Sequence, residues 1–112
     1  MIKLALFDTV ELLVDLPEQH LRSGARGAVV HQHTDGVYEV EFINEEGETV
    51  ALCALLLRQF TVVWRAETRQ WVEVAERVAQ IVARLPEEAR AEVLDFARFL
   101  SVRAEQLHPK TT

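Results

Sequence analysis

Residues 29–43 read VVHQHTDGVYEVEFI, and the fold turns on them. Thr34-Asp35-Gly36 separates two runs of β-forming residues. Asp-Gly in that position is a strong hairpin signal, because glycine accepts the positive φ that a tight turn needs. In the second run Tyr38, Val40 and Phe42 alternate with Glu39 and Glu41. A period of two, apolar on one side and charged on the other, marks a half-buried strand.

The same reading extends both ways. Upstream, LALFDTVELLV at 4–14 puts Leu4, Leu6, Val10 and Leu12 on one alternating face, with Asp8 interrupting. DLPEQHLRSGARG at 15–27 holds Pro17, Gly24 and Gly27 and reads as loop and turn. The Gly24/Gly27 pair lacks the pattern of a phosphate-binding loop and suits a turn entering a strand. Downstream, NEEGE at 44–48 is a second turn around Gly47. TVALCALLL at 49–57 is apolar on both faces, which predicts a central strand. QFTVVW at 59–64 closes the series with Phe60, Val62 and Trp64 alternating. Five short strands in residues 1–65 predict a small antiparallel barrel, SH3-like or OB-like, since closure removes exposed edges.

From residue 67 the period changes. Trp71, Val74, Val78, Ile81, Val82 and Leu85 fall on one helical stripe, with Thr68 as its N-cap. Leu85-Pro86 ends that helix, because the residue before proline disfavours helical dihedrals. Pro86 then opens a second helix, with Glu87 and Glu88 at its positive end. Ala89, Val93, Phe96, Ala97 and Leu100 form its inner stripe. The expected fold class is therefore α+β: a five-stranded antiparallel SH3-like barrel (1–65), a C-terminal α-helical hairpin (66–107) and a disordered end (108–112).

The chain of 112 residues is 49% hydrophobic and 27% charged, so it has the composition of a globular protein. Its net charge is −6, which argues against non-specific nucleic-acid binding and favours a basic protein partner or simple solubility. The single cysteine, Cys53, sits among apolar residues and reads as a buried small hydrophobe. Without a disulfide framework, a signal peptide or an apolar run of membrane-spanning length, the expected location is the cytoplasm, with no membrane partner.

No residue set carries a catalytic motif. His31 and His33 share a strand face and, with Asp35 or Glu39, resemble part of a metal site, but no further His or Cys has ligand spacing. Glu39, Glu41, Glu45, Glu46 and Glu48 crowd one hairpin, yet exposed strand positions lack the cleft that acid–base chemistry needs. Trp64 and Trp71 flank the junction of the two parts and read first as packing between them, second as an interaction hot spot. Neither an enzyme, nor a cofactor, nor a metal is expected.

The motifs Phe7 to Leu12, Leu16-Pro17, Gly24 to Val30, Asp35 to Phe42 and Gly47 to Thr49 resemble a family of small bacterial domains of unknown function. That resemblance implies an SH3-like barrel and no known catalytic residues. LPEEARAEVLDFARFL at 85–100 is similar to short helical bacterial proteins, many of them predicted antitoxins of type II toxin–antitoxin pairs. It implies that the helical tail binds and inhibits a small toxin, often a nuclease. The expected function is thus a protein-interaction module with Val93, Leu94, Phe96 and Leu100 as anchors, and Trp71 and Val78 as further contacts. Two alternatives stand beside it: a homodimer or scaffold whose tail only completes the core, and an RNA- or ribosome-associated barrel.

Overall fold

The computed structural model describes residues 4–107, so the expected disordered end at 108–112 lies outside the described residues. Six strands run in chain order: β1 (Thr9–Leu12), β2 (Arg26–Gln32), β3 (Val37–Ile43), β4 (Thr49–Leu56), β5 (Phe60–Arg65) and β6 (Gln70–Trp71). Two helices follow, α1 (Val74–Ala83) and α2 (Glu87–Leu107). The chain divides into two compact units between Gln80 and Ile81.

The first unit is one antiparallel sheet in the order β4-β3-β2-β1-β5-β6. Five strands in a closed barrel were expected; among the described residues there are six, and the sheet they form is not closed. The extra strand is β6, whose residues pair with the end of β5, Trp64 with Trp71 and Arg65 with Gln70. Trp71 is therefore a strand residue rather than the start of a helix. Thr68 lies in the turn before it and caps nothing; the first backbone bond of α1 runs from Arg77 N–H to the Glu73 carbonyl at 3.0 Å.

The 34–36 turn forms as expected, closed by His33 N–H donating to the Val37 carbonyl at 2.8 Å, with Gly36 at φ 71°. Tyr38 to Phe42 keep their alternation, and Val40 and Phe42 are buried with Val10, Leu12, Val29, Leu55 and Phe60. Gly27 sits in β2, not in a turn. A Cβ there would lie 2.8 Å from the Glu41 carbonyl oxygen and 2.9 Å from Phe42 Cδ1, so β2 and β3 approach as they do only because the side chain is absent.

The strand expected from residue 4 begins only at Thr9. Phe7 takes a left-handed φ of 71°, and Leu6 and Phe7 stand exposed on the turn. Asp8 holds that turn. Its buried carboxylate accepts N–H groups from Ala5 at 2.9 Å and from Ala66 at 2.8 Å, tying the start of β1 to the end of β5.

In the second unit, Pro86 opens α2 as expected, with Arg90 N–H donating to its carbonyl at 3.0 Å. The Arg90 side chain turns back on the preceding helix end. Its Nε donates to the Val82 carbonyl and its Nη2 to the Ala83 carbonyl, both at 2.9 Å. A cation on the last carbonyls of a helix satisfies groups that have no intrahelical partner.

Candidate functional site

The residues that α1 turns toward the sheet are polar. Val62 N–H donates to Gln80 Oε1 at 2.7 Å, and Gln80 Nε2 donates to the Val62 carbonyl at 2.8 Å; Gln80 is buried. Because β6 matches β5 only at Trp64 and Arg65, the Gln80 amide serves Val62 as a neighbouring peptide group would. Arg77 donates to both oxygens of Glu11 at 3.2 Å, and Arg65 to Glu76 at 2.7 Å. Glu11 also accepts Arg26 Nε at 3.1 Å, and the Arg26 guanidinium lies 5.5 Å from the centre of the Trp71 ring.

A polar clasp on one side leaves the apolar stripe of α1 on the other. Val74 and Val78 are exposed, although their spacing predicts an inner face. The apolar residue that enters the core here is Val72, just before the helix. Trp64 is half-buried, whereas Trp71, its partner in the β5–β6 pairing, is 64% exposed. The hollow beside it, about 560 Å³, is lined by Arg65, Arg69, Gln70, Trp71, Val72, Glu73 and Glu76, a mixed-charge surface around the Arg65–Glu76 pair.

In the second unit the anchors expected on α2 divide. Val93 and Leu100 are half-buried, whereas Phe96 is 61% exposed and Leu94 is exposed. Phe99 and Val102 are exposed as well and escaped the sequence reading, since they lie off the stripe of Val93, Phe96 and Leu100. The signal for Phe99 was present in the i, i+3 pair Phe96 and Phe99, whose rings stack with centroids 6.0 Å apart. Arg103 lies over the Phe99 ring at 5.8 Å.

Elsewhere the candidate chemistry is quiet. His33 Nε2 lies 3.1 Å from Glu39 Oε1, and His31 meets the His33 ring edge-on. Among the described residues no three His, Cys, Asp or Glu side chains are placed to share a metal ion. Cys53 is buried, and burial first, then the charge of Glu39, raises its thiol above the ordinary value of 9.0. No helix among the described residues is long and apolar enough to cross a membrane.

These features define an α+β protein: an open antiparallel sheet followed by two helices that carry exposed apolar side chains among charged ones. Residues 6–62 match the family model of a domain of unknown function, DUF4926. The match spans just over half of the chain, which therefore belongs to that family. No curated protein and no solved structure matches it.

Proposed function

We propose that this protein is a non-catalytic interaction module that grips a protein partner with α2, in the manner of an antitoxin on its toxin. One observation carries the reading: a 21-residue helix leaves Leu94, Phe96, Phe99 and Val102 exposed. Most helical stability in proteins comes from packing of a face rather than from propensity, and apolar residues left exposed gain stability only when something covers them. Phe96, Phe99 and Val102 follow one another at i+3 steps, the kind of spacing that helix-in-groove recognition uses, and Leu94 lies to another side. The net charge of −6 assists encounter with a basic partner such as a small nuclease. We read the sheet unit as an opened SH3-like domain, because β1 to β4 form a meander and β5 returns to pair with β1.

The charge pattern of α2 favours a second reading. Before Phe96 stand Glu87, Glu88, Glu92 and Asp95 with Arg90, and after it Arg98 and Arg103 with Glu105, so the first half is acidic and the second slightly basic. Two copies packed antiparallel would set the acidic half of each helix against the basic half of the other.

Affinity capture from the native host with the tagged full-length chain, read by quantitative mass spectrometry, separates the two. The antitoxin reading expects a small basic protein at near-equal amount, toxic when expressed alone and silenced by co-expression of this chain. Recovery of the chain alone, as a dimer, would transfer α2 to the homodimer reading.

A further inference from the structure

After Thr49, the stretch VALCALL is apolar throughout, which predicts a strand covered on both sides, yet β4 is the sheet's edge. Among the described residues it pairs only with β3. Alternate residues therefore turn their N–H and C=O groups away from any strand. The far side of the sheet is guarded differently, by the short β6 and by the Gln80 amide on Val62. β4 carries no Lys, no Pro and no charge. Its one irregularity is the register shift at Val50, near its start, and Ala51 to Leu56 pair in unbroken register with β3.

The outer face beside that edge has a definite chemistry. Leu52 stands opposite Glu41 and Ala54 opposite Glu39, so apolar and acidic residues share one face. Leu52 is 60% exposed, and Val50 and Ile43 are exposed near it. Residues 27–57 contain six carboxylates and no Lys or Arg, a charge equal to that of the whole chain. Glu39 lies against His33 and Glu41 accepts the Thr49 hydroxyl at 2.6 Å; among the described residues neither forms an ion pair with Lys or Arg.

We infer that the β4 edge takes up an extended, basic segment of another protein as a seventh strand. Its backbone completes the ladder that β4 leaves open. Its Lys or Arg stems lie over Leu52 and Val50, and their charged ends reach the carboxylates of β3, two strand spacings or about 10 Å away. A second copy of this chain, paired β4 to β4, fits the edge less well, because it brings the same acidic hairpin, whose residues 27–57 hold no Lys or Arg. The inference concerns the first unit alone and does not depend on α2.

The test uses a fluorescent peptide of alternating Lys and Val with the full-length chain, read by anisotropy and by backbone amide shifts. The expected result is saturable binding, with shifts centred on residues 49–56 and weakening as salt rises. Alternating Glu and Val is expected not to bind. Methylating alternate peptide nitrogens on the pairing edge is expected to abolish binding without changing the protein. Leu52→Lys should weaken binding by about tenfold or more, since it sets a like charge on the edge. The double variant Phe96→Asp, Phe99→Asp should bind the peptide as the unaltered chain does. Equal binding of the acidic peptide, indifference to N-methylation, shifts confined to α2, or a β4-paired dimer that excludes the peptide would each overturn the inference.

Discussion

Gln80 shows how a single side chain decides the placement of an element. Its amide meets both backbone groups of Val62, in a buried position where water does not substitute. Gln80→Ala leaves an N–H and a C=O unpaired, at a cost of about 2–3 kcal/mol. Urea unfolding of the variant should show that loss; a change within error would mean that Gln80 does not hold α1 to the sheet. Cys53 gives a second residue-scale prediction. Its thiol is raised in the folded state, mainly by burial. A raised folded value contributes stability below the unfolded value, and that stability is lost as pH rises through the folded one. Unfolding free energy should therefore fall above about pH 9 through this group, and the fall should vanish in Cys53→Ala. The thiol should also resist a small alkylating reagent until the chain unfolds.

Among the elements, β3 and its hairpin were legible in the sequence, because alternation and an Asp-Gly turn agree on one answer. The break at Leu85-Pro86 was equally legible, since proline's constraint is local. β6 was not: two residues give no measurable period, and Trp71 happens to continue the helical spacing of Val74 and Val78. The position of β4 was misjudged for another reason. A strand apolar on both faces reads as central, but the residues report only that it wants cover, not that this chain supplies it. The same holds for α1, whose Val74 and Val78 are exposed because Gln80 and the Arg77–Glu11 pair bind its other side. For α2 the element-scale prediction concerns partner binding. Phe96→Asp with Phe99→Asp removes two aromatic anchors, each of order 2 kcal/mol, and should weaken capture of the partner by about a hundredfold or more. The sheet amides should keep their shifts. Unchanged capture by the folded variant would place the docking face elsewhere.

At the scale of the molecule, the family match covers β1 to β4 and the first residues of β5, while α1 and α2 lie outside it. Sheet and helices therefore present two kinds of surface: a backbone edge with acidic flanks, and a charged helix that exposes Phe96, Phe99 and Val102. Buried contacts concentrate in the sheet, where Val10, Val40, Phe42 and Phe60 are almost wholly covered. The amides of α2 have no comparable cover, so their local opening should be far easier than that of the strands. Hydrogen exchange on the purified full-length chain, alone and with its captured partner, measures this directly. The account predicts that α2 amides exchange orders of magnitude faster than those of β1, β3 and β5 in the chain alone, and slow once the partner is added. Protection of α2 equal to that of the sheet core in the chain alone, unchanged by the partner, would contradict it.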